Sequence, residues 1–210
     1  MENKSENQLS KKLAKIFPTY VIGYDNPQSI EQNLEIIKTL ETLEFTPPPS
    51  QPYQTIDNHL YNHPALKQFY EWVNMCLEDY RRSFKYSCQS FKIILSWANK
   101  ANSNGAHRMH VHPNSFLSAI YYISEKSSPT YFEDPRYQVR SGWLVGSPHE
   151  MNDSTWCCPS ETGSLVIFPS WLPHFTETDP LLADWRYSIS MNIIPVGPTN
   201  MGSLLELNLR

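Results

Sequence analysis

Histidine is crowded into one stretch of this chain: His107, His110 and His112, three of its seven histidines, fall within six residues of one another. In extended backbone, side chains at i and i+2 leave on the same side, so His110 and His112 can present two imidazole nitrogens to one ion. An isolated His-x-His is more often an ordinary half-exposed pair, so more than spacing is needed. A third histidine, His174, closes the segment Phe168-Pro-Ser-Trp-Leu-Pro-His174, and Arg186-Tyr-Ser188 follows twelve residues later. Spacing thus supplies half a metal site, with a third histidine on a separate strand end and an arginine beyond it.

Such residues need a rigid frame, and the chain supplies it in two dialects. From Phe91 onward short β-like runs alternate with turn signals: Phe91–Trp97, Phe116–Ile123, Tyr131–Glu133, Gly142–Val145, Ser164–Phe168 and Arg186–Ile194. This grammar suits a barrel or sandwich. Ahead of it lie two helical patterns. Ser29 with Gln32 makes a capping-box pattern, and Ile30, Leu34, Ile37 and Leu40 recur at helical spacing. A second helix is expected to begin near Pro64 and run to Arg82, with Leu66, Phe69, Val73, Leu77 and Tyr80 on one face. Between the two, Pro47-Pro48-Pro49 and Pro52 impose an extended connector. A first strand is expected over Ile16–Gly23. Helices followed by strands predict an α+β layout in which residues 28–82 buttress one face of an antiparallel core over 91–195.

At 210 residues the chain fits a single domain, 1–210, with residues 1–10 frayed. A net charge of -4 gives no basic footprint, so binding to a nucleic-acid backbone is not expected. Cys76, Cys88, Cys157 and Cys158 include no C-x-x-C pair, the N-terminus has no apolar signal-like core, and no apolar run reaches membrane-spanning length. The expectation is a reduced, cytoplasmic, non-membrane protein. The longest irregular stretch, Ser147–Ser160, is expected to be a lid or substrate wall.

Taken in order, His110-Val-His112-Pro113, Ser118-Ala-Ile-Tyr121-Tyr122, Asp134-Pro135-Arg136, Phe168-Pro-Ser-Trp-Leu-Pro-His174 and Arg186-Tyr-Ser-Ile-Ser-Met-Asn192 resemble the Fe(II)- and 2-oxoglutarate-dependent dioxygenases. More narrowly, they resemble a bacterial and phage subfamily of 2OG-Fe(II) oxygenases with a His-x-His-Pro motif. The resemblance covers roughly residues 91–195 and implies a double-stranded β-helix, the jelly-roll or cupin-like core. It also implies a hydroxylase that couples oxidation of an unknown substrate by dioxygen to conversion of 2-oxoglutarate into succinate. His110, His112 and His174 are then the metal ligands and catalytic centre, with His112 where relatives more often place a carboxylate. Arg186 and Ser188 hold the distal carboxylate of 2-oxoglutarate, and Tyr122 matches a tyrosine that binds it in prolyl-hydroxylase-like enzymes. Asp134 reads as a turn acid rather than a ligand, and His107, as strand, would face the other way and sit on the rim. Two alternatives stay open: a non-catalytic cupin-like metal-binding module and a Zn hydrolase, for which three histidines make an acceptable site. Neither needs Arg186-x-Ser188.

Overall fold

The computed structural model describes residues 17–46, 52–124, 128–136, 153–159, 161–180, 184–198 and 206–207. Ten strands are seen among them. Six form the main antiparallel sheet in the order β1-β7-β4-β9-β3-β2: β1 (Ile22–Asp25), β7 (Ser164–Pro169), β4 (Leu117–Tyr122), β9 (Arg186–Pro198), β3 (Ser90–Ala101) and β2 (Tyr53–Gln54). The short β10 (Glu206–Leu207) pairs with the far end of β9. A smaller sheet, β6-β5-β8, is built from β6 (Thr155–Cys158), β5 (Thr130–Glu133) and β8 (His174–Thr176).

Alternation along the main sheet separates two chemistries. Leu117, Ala119 and Tyr121 of β4, Leu165 and Ile167 of β7, and Tyr187, Ile189, Met191 and Ile193 of β9 are buried with the helices in one core. The opposite side carries Tyr122, Val166 and Phe168, which meet Phe132 and Cys158 of the small sheet and Leu172 in a second core. Two sheets enclosing an interior, with helices outside, make the double-stranded β-helix with an α buttress that the strand grammar and the resemblance implied.

The helices differ in detail from the sequence expectation. The first, α1, spans Ser29–Leu40, but Ser29 lies inside it and the capping box does not form. Asn26 does the work instead: its Oδ1 accepts from the Gln28 backbone N–H at 3.0 Å and its Nδ2 donates to Gln32 Oε1 at 2.6 Å. The buried face is Asn33, Ile36 and Leu40, whereas Ile30 is 83% exposed and Leu34 59%. Periodicity alone picked a stripe rotated from the true one, because the buried asparagine does not register as core. Asn33 is there to donate to the Ile123 carbonyl and accept from the Tyr121 hydroxyl. In the second helical region Pro64 opens a 3₁₀ turn, Pro64–Leu66, that leads into α2 (Lys67–Ser83). Phe69, Val73, Leu77 and Tyr80 are all buried as expected.

The first strand begins later than its apolar pattern suggested, at Ile22, and Phe17 is 87% exposed. The expected strand at Gly142–Val145 and part of the expected lid, Ser147–Asn152, lie outside the described residues; of the remainder, Thr155–Cys158 is strand β6 rather than irregular chain. Leu77→Ala, which empties a fully buried site, is expected to cost about 2–5 kcal/mol in urea denaturation. Ile30→Ala is expected to change stability by less than about 0.5 kcal/mol, although its spacing had placed Ile30 in one stripe with the buried Leu40.

Candidate metal centre and adjoining anion pocket

The segment carrying the first histidines is not a strand. It is an extended loop between β3 and β4, held to the small sheet by an isolated antiparallel bridge between His110 and His174. Each of these residues donates its backbone N–H to the other's carbonyl at 3.0 Å, and the His112 N–H donates to the Ser170 carbonyl at 3.0 Å. Local extension still sends His110 and His112 to one side, as spacing predicted. The bridge then brings His174, sixty-two residues beyond His112, to the same point.

One ring nitrogen from each of the three histidines lies within 4.8 Å of the others. His112 Nε2 and His174 Nε2 are 3.2 Å apart. The remaining nitrogens decide the tautomers: His110 Nδ1 is 2.7 Å from the Arg108 carbonyl and His174 Nδ1 3.0 Å from the Leu172 carbonyl. A carbonyl only accepts, so both rings carry their proton on Nδ1 and offer a lone pair at Nε2. Ligand bonds of about 2.1 Å at right angles put neighbouring nitrogens about 3 Å apart, close to the observed His112–His174 separation. The trio fits a divalent metal held on one face.

Burial disfavours the charged form of two rings of the trio. It depresses His174 to about 3 and His112 to about 4, with the neighbouring imidazoles adding to the effect. His107 is lowered to about 4 for the same reasons. His107 is also not where a strand would have sent it. With the loop turned, its ring centroid lies 5.8 Å from that of His110, and the residue lines both compartments of the site.

The larger compartment has a volume of about 330 Å³, and the histidine trio shares its wall with Gln54, Trp97 and Ser118. The smaller one, about 50 Å³, is lined by Arg186, Ser188, Ser190, Tyr122, Ser128 and Asn99. The two share His107, Ile120, Thr130, Thr176 and Ser190. Arg186 is 8% exposed; its Nη2 donates to the Gly105 carbonyl, while Nη1 is buried with no partner among the described residues. Gly105 is required for that approach, since a Cβ there would meet the Ala101 Cβ at 2.5 Å. Burial lowers the Arg186 pKa, partly offset by the charge of Asp179, yet a guanidinium stays charged under any physiological condition. An unpaired N–H on a buried cation calls for an anion. The Tyr122 hydroxyl lies 2.6 Å from Thr130 Oγ1, and burial raises its pKa, so it remains a neutral hydroxyl.

Asp134 is not among the grouped ligands. Its carboxylate accepts from the Arg136 backbone N–H at 2.9 Å and from Arg136 Nε at 2.8 Å, the turn role expected of it. Asn99, Ser190, Thr130 and Gln54 were not singled out from sequence. Of these only Ser190 had a local signal, its place two residues beyond Ser188.

Residues 95–192, just under half of the chain but all six candidate site residues, match the family described as "Putative 2OG-Fe(II) oxygenase". No curated protein matches by sequence. Solved structures with the same fold include a Pseudomonas putida prolyl-4-hydroxylase (13% identity, 85% of this chain and 94% of that one, TM-score 0.57). Another is HygX from Streptomyces hygroscopicus with nickel, 2-oxoglutarate and hygromycin B bound (11%, 84% and 83%, 0.61). A third is the α-ketoglutarate-dependent epimerase SnoN from nogalamycin biosynthesis (10%, 88% and 83%, 0.63). The fold and the imidazole trio agree with what that sequence match describes, the 2OG-Fe(II) oxygenase class. Within that class, residues 95–192 carry the pattern of the particular family named above, whose cofactors are Fe(II) and 2-oxoglutarate.

The depressed histidines set a pH dependence. In the unfolded chain they bind protons below about 6.5, whereas the folded rings resist until about 4 or 3. The unfolded state therefore holds more protons in that window, and stability must fall as pH drops. The metal-free protein is expected to lose stability steadily between pH 7 and pH 4 in urea titrations. His174→Gln, which removes one such group, is expected to flatten the slope.

Proposed function

We propose that this chain is an Fe(II)- and 2-oxoglutarate-dependent dioxygenase acting as a hydroxylase, with His110, His112 and His174 holding the metal and Arg186, Ser188 and Tyr122 lining the seat of the distal carboxylate. The observation that carries this reading is the unpartnered, buried Nη1 of Arg186 in a compartment that shares wall residues with the one the imidazole trio lines. A dicarboxylate able to reach both sites answers that vacancy, and a hydrolase or a plain metal-storage module does not require it.

When bound, Fe(II) and 2-oxoglutarate supply the oxidising chemistry, in which 2-oxoglutarate becomes succinate as dioxygen oxidises the substrate. The protein's part is placement. The backbone carbonyls of Arg108 and Leu172 hold His110 and His174 in the ligating tautomer. Three neutral imidazoles cancel none of the ion's charge, so the dianionic cosubstrate contributes more to retaining the metal than it would beside a carboxylate ligand. Arg186 meets the far carboxylate with a two-pronged fork that lysine cannot copy. Residues 28–82 and 91–195 work as one domain through the shared core beneath the main sheet. Among the described residues no helix is long and apolar enough to cross a membrane, and four unpaired cysteines suit a reducing cytoplasm. The description of the P. putida neighbour as a prolyl-4-hydroxylase supports hydroxylation, whereas the epimerase shows that this fold also serves other outcomes.

Calorimetry on the Mn(II)-loaded protein is expected to show one 2-oxoglutarate site; no binding would defeat the proposal. Arg186→Lys should weaken that binding by about 1.5–3 kcal/mol, the scale of a charge-assisted hydrogen bond, while metal content stays near wild type. Metal analysis of purified variants tests the ligand set: His112→Ala should lose most of its metal and Asp134→Ala should keep it.

A further inference from the structure

Asn99 lies at the centre of a polar row running across four strands of the main sheet. In register, Gln54 of β2 faces Asn99 of β3, Asn99 faces Ser188 of β9, and Ser188 faces Tyr122 of β4. Asn99 is 5% exposed, and every hydrogen-bonding position on its amide is used. Its Oδ1 is 3.2 Å from Trp97 Nε1 and 3.2 Å from Gln54 Nε2, and its Nδ2 is 2.9 Å from Ser190 Oγ and 3.4 Å from Ser188 Oγ.

The orientation of that amide follows from chemistry. An indole nitrogen can only donate, so the Asn99 atom facing Trp97 must be the carbonyl oxygen. The NH₂ group must then face the serines. Ser188 and Ser190 therefore both accept from Asn99, and neither has another partner among the described residues for its own proton. Both line the small compartment with Arg186, so those protons are free to turn towards its contents. Arg186 Nη1 adds further donors, and Ser128 Oγ is likewise buried without a partner. Tyr122 and Thr130 share one hydrogen bond between two hydroxyls, which leaves one O–H over.

We propose that Asn99, its amide direction set by the Trp97 indole N–H, is the positioning residue that makes the small compartment a donor-lined seat selective for a carboxylate, with Ser190 as a second hydroxyl anchor beside Ser188. This rests on the 2-oxoglutarate reading above and extends it. A carboxylate has only acceptors, so a seat whose serines all point protons inward matches it. Turn the serines around and their lone pairs would repel it.

Asn99→Asp tests the idea with almost no change of shape. A carboxylate at position 99 cannot donate, so the serines must donate to it instead, and they turn away from the seat. The comparison uses Mn(II)-loaded full-length protein and two 2-oxo acids of equal chain length: 2-oxoglutarate, and 2-oxopentanoate, which carries a methyl group in place of the distal carboxylate. Asn99→Asp is expected to lower affinity for 2-oxoglutarate by about tenfold or more, the scale of one charge-assisted bond, and to leave that for 2-oxopentanoate within about twofold. Ser190→Ala and Trp97→Phe, which leave the sheet pairing intact, should move the preference in the same direction by a smaller factor. They decide the matter if Asn99→Asp does not fold. Equal losses for both acids, or an unchanged preference for 2-oxoglutarate, would overturn the role of Asn99 alone. Wild-type protein that does not distinguish the two acids would overturn the 2-oxoglutarate reading as well.

Discussion

Strand β9 has to satisfy two environments at once. It lies between β4 and β3 in the main sheet, and alternation sends Tyr187, Ile189, Met191 and Ile193 outward beneath the helices. The same alternation sends Arg186, Ser188 and Ser190 inward, where they line the small compartment. A slip of one residue in its pairing would drive a guanidinium into the apolar core and expose four large side chains to the site. The register is therefore pinned from both faces, and the anion seat inherits its rigidity from the core. The interior tolerates a buried cation because its surroundings supply one carbonyl, from Gly105, and leave room for an anionic partner.

A different constraint organises the imidazoles. They come from a loop and from the start of β8, elements that share no regular sheet, and a single two-bond bridge between His110 and His174 aligns them. Around that bridge the protein uses backbone carbonyls, rather than carboxylates, to hold the ring tautomers. The result is a cluster of nitrogen donors in a half-buried pocket, with a charged arginine in the adjoining compartment. The site is electrostatically unfinished without anions. That incompleteness is what the proposed metal and acidic cosubstrate would answer.

The polar lining shows how side-chain hydrogen bonding carries direction across a sheet. Trp97 fixes Asn99, and Asn99 fixes the serines, over distances that separate strand neighbours. The aromatic contact between Trp97 and His112, with ring centroids 5.8 Å apart, sets the indole that orients Asn99 against the histidine trio. Metal site and anion seat thus share structural support as well as walls.

What the amino-acid sequence determined by itself was whatever covalent geometry repeats over short distances. His110 and His112 two apart, Arg186 and Ser188 two apart, and the short β-like runs around them were legible because a period of two is local. Tertiary structure decided the rest. His107 turned inward because its segment is a bridged loop rather than a strand. Asn26 displaced the expected cap and Asn33 rotated the buried face of α1, since partners as distant as Tyr121 and Ile123 made those amides worth burying. Asn99 gave no local signal at all. Its importance comes from facing Ser188 eighty-nine residues away, and that pairing is selected by the packing of whole sheets, which no spacing within a short window encodes.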